Sequence, residues 1–300
     1  MQKHFDLMNR PKVSIIIASY NSKSTIEKCL QALLAQKEEE TFEIIVVDSS
    51  DDATSELVSN KYPEVRLYTF SERKFPGDAR NFGISKAMGS IVAFTDTDCV
   101  PHPNWIKELV NAQKQYPLIG GSVDIANPAK LISWASYFCE FSQWIPNSKN
   151  RFIEMPGCCL AIDKAFFEKF GPFIEGTYCS DTAFHWKANQ SGYYPFFVNS
   201  MRVSHLNIDK FTKFVKKQFS HGKQFARVRV KEKNFTILQR IIYVLGSPLI
   251  PLLLFFRNSQ RVCKAQRYIK EFVKASPFTL LGLTLWSLGE AVGYIAGAKK

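Results

Sequence analysis

The first hundred residues alternate between two hydrophobic rhythms. Val13-Ser14-Ile15-Ile16-Ile17-Ala18-Ser19 is a short, almost continuous apolar run rich in β-branched side chains. That is the pattern of a strand covered on both faces, as in a parallel sheet. After Tyr20-Asn21 the period changes, and Ile26, Leu30, Leu33 and Leu34 fall on one helical face. Ser24 followed by Glu27 has the spacing of a capping box. Glu43 to Asp48 repeats the buried strand and closes on the acidic turn Ser49-Ser50-Asp51-Asp52. A short helix through Leu57 and Val58, a weaker strand from Val65 to Thr69, a helix from Ala79 to Ala87 and a strand from Ile91 to Phe94 follow. This alternation predicts an open α/β fold, with a mainly parallel sheet flanked by helices and right-handed crossovers.

The later half is less regular. Gly157 to Ile162 reads as a short strand and Pro195-Phe196-Phe197-Val198 as a clearer one. Between them Glu175 to Asp181 leads into a helix through Phe184, Trp186 and Ala188. From Lys210 to Val230, Phe211, Phe214, Val215, Phe219 and Phe225 are interleaved with lysines at roughly helical spacing. The end of the chain differs again. Ile241 to Phe256 is uncharged, with Pro248 and Pro251 inside, and residues 275–298 carry only Glu290 as a charge. The first run is short for a membrane span and its prolines would kink it, whereas the second is long enough. A pair of membrane helices, an interfacial or re-entrant hairpin, and a soluble helical extension all fit the pattern. Basic residues flank both runs, so charge asymmetry sets no orientation.

Composition adds that the core is large enough for one sizeable domain with an appendage, since 46% of the 300 residues are hydrophobic. We place the boundary near residue 232, with residues 1–232 as the body and 233–300 as a helical, membrane-associated extension. The net charge of +12 is uneven: residues 201–300 hold 19 Lys and Arg against 4 Asp and Glu, and residues 1–200 hold 20 against 23. A near-neutral body with a basic tail points the tail at an anionic surface, a membrane or a nucleic acid. The seven cysteines contain no Cys-x-x-Cys pair, which suggests free thiols in a reducing compartment. Met1 to Lys12 is polar and lacks the apolar core of a signal peptide, so secretion by that route is not expected.

The candidate chemistry lies at the strand ends. Asp96-Thr97-Asp98 follows the run Ile91 to Phe94, and two carboxylates at this spacing suit a hard divalent cation held against phosphate oxygens. In open α/β sheets ligands sit beyond the carboxyl ends of the strands. Asn21, Asp48, Asp96 and Asp98 all fall at or just past such ends, so four polar side chains are expected to converge on one crevice.

Taken with Ala79-Arg80-Asn81-Phe82-Gly83 and with Asp181 opening a helix, the opening strand, the Val46 to Asp52 segment and Asp96-Thr97-Asp98 form a set whose order and spacing resemble a family 2 glycosyltransferase of the GT-A fold, over about residues 11–225. The resemblance implies sugar transfer from a nucleotide-diphosphate donor to an acceptor hydroxyl. It implies that Asp48 accepts hydrogen bonds from the donor base, taken as uracil, and that Ser19 and Asn21 line the nucleotide pocket. Arg80 would approach the diphosphate or orient the acidic loop. Asp96 would face the ribose and the cation, Asp98 would ligate the cation (Mn²⁺ or Mg²⁺), and His205 would stand near metal and diphosphate. Asp181 would be the base. Many members carry Glu-Asp where this chain has Ser180-Asp181. The Gln-x-x-Arg-Trp motif of processive synthases is also absent, since Gln224 to Val228 ends in valine; transfer of a single sugar is therefore expected.

With one base and no evident nucleophile, direct displacement with inversion is the simpler chemistry. The basic, apolar tail suggests a membrane-held or lipid-linked acceptor at the cytoplasmic face of the cell membrane. Two other classes fit less well. A nucleotidyltransferase would share the sheet and an acidic metal site, but Ser19-Tyr20-Asn21-Ser22 lacks a Gly-rich phosphate loop. A non-catalytic nucleic-acid-binding protein would use the basic tail, but no nucleic-acid motif accompanies it, and nucleic acid is not an expected partner.

Overall fold

A computed structural model describes residues 10–36, 41–148 and 152–297; the polar stretch 1–9 lies outside the described residues. The chain divides into two compact units. The first takes its described residues from Met1–Ser122, Phe152–Gly176 and Ser180–Ser204. Its opening follows the sequence pattern: β1 (Val13–Ser19), α1 (Ile26–Leu34), β2 (Phe42–Asp48), α2 (Thr54–Lys61), β3 (Arg66–Thr69), α3 (Pro76–Lys86) and β4 (Ile91–Asp96). β5 (Cys99–Pro101), α4 (Trp105–Gln113), β6 (Leu118–Ile125), β7 (Leu160–Asp163), α6 (Lys164–Phe170), α7 (Ser180–Gln190) and β8 (Phe196–His205) complete the sheet and its helices, with α5 (Leu131–Phe141) in the second unit.

Among the described residues eight strands form one sheet in the order β3-β2-β1-β4-β7-β6-β8-β5. The half that carries β3, β2, β1 and β4 is parallel, and β7 pairs antiparallel with both β4 and β6. The sheet is thus mixed, and its parallel part is the part whose strands read as unbroken apolar runs. Ile15, Ile16, Ile17, Ile45, Val46, Val47, Val92, Ala93 and Phe94 are all fully buried, as two-sided cover requires. The capping box expected from Ser24 and Glu27 does not form, since no side chain caps α1. Asn21 adopts a left-handed conformation at φ 52°, and the turn after it closes through the N–H groups of Thr25 and Ile26, which donate to the Ser22 carbonyl.

One helix fastens the parallel half together, and each residue of Ala79-Arg80-Asn81-Phe82-Gly83 serves it differently. Ala79 is buried and Phe82 packs edge-on against Tyr68 and Phe70 beside β3. Asn81 holds the loop that precedes α7: its Nδ2 donates to the Phe173 carbonyl and to Glu175 (2.9 Å each), and its Oδ1 accepts from the Phe173 N–H (3.0 Å). Asp78 adds an acceptor for the Gly176 N–H at 2.8 Å. Gly83 lets the helix lie flush on β1, because a Cβ there would stand 2.4 Å from Ile16 Cγ2.

The second unit takes its described residues from Val123–Arg151, Thr177–Cys179 and His205–Lys300. It contains α5, α8 (Phe211–Glu232), α9 (Ile237–Gly246), a short 3-10 turn, α10 (Ile250–Ala265) and α11 (Ile269–Ala296). The long helices α8 and α11 meet along a seam of glycines: Gly222 lies against the Trp286 backbone, Gly289 against the Phe219 carbonyl and Gly293 against that of Lys223. Arg229 donates to Tyr294 and Tyr243 (3.2 Å each), and Tyr294 packs with Ala226, Val230, Phe235 and Tyr243. Lys217 pairs with Glu140 at 2.8 Å. Lys217 and the nearby His221 lower the Glu140 carboxyl against the desolvation that would raise it.

The Gly83 contact generates a stability test. Gly83→Val forces branched carbon into Ile16 and is expected to lower unfolding free energy by about 1–3 kcal/mol, read as a lower denaturant midpoint at unchanged slope.

Candidate functional site

Register decides where the strand-end side chains fall. β1 pairs with β2 so that Ser19 stands opposite Asp48, and with β4 so that Ala18 stands opposite Asp96. Three parallel strands therefore end level, with Ser19, Asp48 and Asp96 at one rim. The loops beyond them are tied to one another. The Asn21 N–H donates to Ser50 Oγ (2.7 Å) and Asn21 Oδ1 accepts from the Asp51 N–H (3.1 Å). Thr97 Oγ1 donates to Ser22 Oγ (2.8 Å), so the Asp96-Thr97-Asp98 turn is fastened to the end of β1.

The expected roles meet different surroundings. Asp48 is only 1% exposed. Its oxygens accept from the hydroxyls of Ser50 and Ser55 (2.6 Å each) and from the Ser50 N–H (3.4 Å). A carboxylate has about four lone-pair directions, so Asp48 keeps acceptor capacity once Ser50 yields. The buried Ser19 hydroxyl makes no hydrogen bond. Asn21 is foremost a clasp between the loops after β1 and β2.

Arg80 is 4% exposed and donates from Nη2 to Asp96 Oδ1 at 2.9 Å. Its Nε is buried without a hydrogen bond, which leaves a charged donor unused beside the acidic turn. The guanidinium lies on Gly157, where a Cβ would come within 2.5 Å of Nη1. The N–H of the same Gly157 donates to Asp181 Oδ2 at 2.8 Å, and Asp181 Oδ1 accepts from the Thr182 N–H. Asp96, Arg80 and Asp181 thus gather around one glycine, although they come from β4, α3 and α7.

A residue that the sequence did not nominate holds Asp181 in place. His185, one turn further along α7, is fully buried. Its Nδ1 lies 2.8 Å from the Asp181 carbonyl, which can only accept, and its Nε2 lies 3.3 Å from the Met155 N–H, which can only donate. The ring is therefore neutral with the proton on Nδ1. Burial lowers its pKa from about 6.5, more than the Asp181 carbonyl and carboxylate raise it. Helix α7 is in this way fastened to the strand-side segment 155–157 twice, through His185 and through Asp181.

Asp98 is half-buried just past β4. The electrostatics mark Asp96 and Asp98 as a pair: the buried thiols of Cys29 and Cys99 are pushed up by desolvation and further by both carboxylates, and Cys158 feels both as well. The turn offers carboxylate oxygen, the donor chemistry that suits Mg²⁺ or Mn²⁺. His205 ends β8, buried in the second unit with its ring 4.6 Å from that of Phe141.

Residues 14–175 match the family described as Glycosyl transferase family 2. The chain belongs to that family. This glycosyltransferase is 30% identical over 222 residues to glycosyltransferase AglE of Haloferax volcanii, covering 71% of the chain and 72% of the relative. It is 39% identical over 102 residues to the succinoglycan biosynthesis protein ExoO of Rhizobium meliloti, covering 33% of the chain and 29% of that protein. Two solved structures share its GT-A fold. A mannosyltransferase from Pyrobaculum calidifontis, in complex with GDP-Man and Mn²⁺, superposes with TM-score 0.60 at 19% identity over 95% of this chain and 87% of that one. GalNAc-T7 with UDP, GalNAc and Mn²⁺ gives 0.53 at 19% identity, over 66% and 44%. Family membership favours sugar transfer over the nucleotidyltransferase and nucleic-acid-binding readings.

Gly157 and His185 supply two tests. Gly157→Ala displaces the guanidinium while leaving the core intact, and turnover is expected to fall roughly ten- to hundredfold with little change in thermal unfolding. For His185 the folded pKa lies below the unfolded one, so its contribution is complete above about pH 6.5 and is lost as pH falls below that value. Thermal unfolding of the parent should decline from pH 7.5 to 5.5 (roughly the interval in which free imidazole titrates) more steeply than that of His185→Gln.

Proposed function

We propose that this family 2 glycosyltransferase moves a single sugar from a nucleotide-diphosphate donor to an acceptor hydroxyl, with inversion, using a divalent cation at Asp98 with Asp96 alongside. The observation that carries the reading is the meeting of Asp96, Arg80 and Asp181 at Gly157, because it puts a cation-supporting carboxylate, a cationic donor and a second carboxylate within one residue of each other. The two solved relatives were captured with a nucleotide or nucleotide sugar and Mn²⁺, which supports both the donor class and the cation. A bound cation would offset negative charge on the departing diphosphate.

The protein's own groups divide the remaining work. Arg80 holds Asp96 in one orientation and has Nε left for a phosphate oxygen. Asp181 takes the proton of the attacking hydroxyl, a role worth roughly 10²- to 10⁴-fold. Its two backbone donors, Gly157 and Thr182, fix its plane before substrate arrives. Asp48 reads the base. As a pure acceptor it suits an imide N–H, which uracil and guanine both present and adenine and cytosine do not; among these the reading takes a UDP-sugar. The acceptor is a membrane-held or lipid-linked glycan, in keeping with ExoO, named for succinoglycan biosynthesis, and with the apolar C-terminal helices.

Mass spectrometry of released nucleoside diphosphate across UDP- and GDP-sugars tests the reading. Asp98→Ala and Asp181→Asn should each lose at least about a hundredfold in turnover. Asp181→Asn should keep the thermal shift given by nucleoside diphosphate with Mn²⁺, and Asp98→Ala should lose it. Parent-like turnover by either variant would remove its assigned role.

A further inference from the structure

The helices α9 and α10 have two unlike sides. Their inner side packs through Tyr243, Val244 and Phe255 and is tied to the second unit by polar groups: the Ser287 hydroxyl donates to the Ser247 carbonyl (2.6 Å), Arg240 Nε donates to the Tyr294 carbonyl (2.7 Å), and Asn258 Nδ2 donates to the Phe138 carbonyl (2.9 Å). Their outer side is apolar. Ile237, Ile241, Leu245, Leu249, Leu252 and Phe256 recur every three or four residues and are 73, 48, 74, 70, 62 and 60% exposed. The stripe runs unbroken through the 3-10 turn between the two helices. An apolar face of this length left to water marks an interaction surface.

Two observations say what covers it. At the end of the stripe the exposed residues turn basic, with Arg257, Lys264, Lys270 and Lys274 facing the single acid Glu271 over 257–274. Basic charge bordering an apolar helix face is the pattern of interfacial membrane helices on anionic lipid. The packing also opposes a crossing. Two stretches are long and apolar enough to span, Ile237–Ala265 (α9 with α10) and Ile269–Ala296 (α11), but the glycine seam of α11 lies along α8, which carries Lys213, Lys216, Lys217, Lys223, Arg227 and Arg229. A crossing by α11 would draw those six charges into hydrocarbon, where each is strongly penalised. The helices α9 and α10 are bonded to α11 and α5 and would carry the same body with them.

We propose that the outer face of α9 and α10 is a monotopic docking surface for an anionic bilayer, entering the interface without crossing it, with Arg257, Lys264, Lys270 and Lys274 on lipid phosphates. The face holds the protein at the cytoplasmic leaflet, where a membrane-held acceptor is reached by lateral diffusion. The proposal does not depend on the reaction, so its failure leaves the transfer reading standing.

Full-length protein is sedimented with vesicles of phosphatidylcholine alone and with added phosphatidylglycerol. Binding is expected to favour the anionic vesicles and to weaken as salt rises. Leu245→Glu with Leu249→Glu should reduce it at least roughly tenfold, and Lys270→Glu with Lys274→Glu should abolish the anionic preference, both with parental thermal unfolding. Topology is read in membranes of expressing cells with an impermeant maleimide directed at the exposed Cys263 and at a cysteine appended after Lys300, with Cys263→Ser as background. Both sites should react from the side that carries the catalytic body. Reaction of either from the opposite side overturns the proposal in favour of a span. Vesicle binding that is absent, or unchanged in the leucine variant, also overturns it; if that variant instead converts a dimer to a monomer, a second copy covers the face.

Discussion

A single ion pair organises the polar end of the parallel sheet. Arg80 is almost wholly buried, so its charge requires a partner, and the partner it has is Asp96 at the end of β4. The pair can form only because residue 157 has no side chain, since the guanidinium occupies the space a Cβ would fill. Gly157 in turn spends its N–H on Asp181. Charge compensation, steric room and backbone hydrogen bonding therefore converge on one point, and the acidic turn and the start of α7 are positioned by the same three residues.

The rest of the first unit supports that point. Level strand ends follow from the parallel register of β1, β2 and β4, and the register follows from strands that are apolar on both faces. Helix α3 lies flush on β1 at Gly83, and from that platform it directs Arg80 toward β4 and Asn81 toward the loop before α7. His185 supplies the second attachment of α7, in a neutral form that burial maintains.

The parallel half was legible because β1, β2 and β4 are apolar runs rich in β-branched residues and α1 carries a clear apolar stripe. The antiparallel half was not. β6 contains Gly120 and Gly121, where the Met155 side chain and the Met201 carbonyl fill the space, so the apolar signal is diluted. The segment Gly157 to Ile162, expected as a strand, begins as a 3-10 turn and becomes β7 at Leu160. β8 extends seven residues past Val198, and the alternation of buried Met201, Val203 and His205 with more exposed neighbours carried that information. At the rim, Asp48, Asp96 and Asp98 were placed by their positions at the strand ends, and Arg80 and Asp181 by motif. Gly157 and His185 escaped because their roles are a steric allowance and a backbone contact across 30 residues, and neither leaves a local pattern.

The level strand ends have a further consequence for how the fold tolerates changes in length. Side chains alternate across a strand, so one residue inserted within β1, β2 or β4 would turn Ser19, Asp48 or Asp96 to the other face. A change of length that leaves this rim intact must therefore fall beyond the carboxyl ends or on the opposite rim.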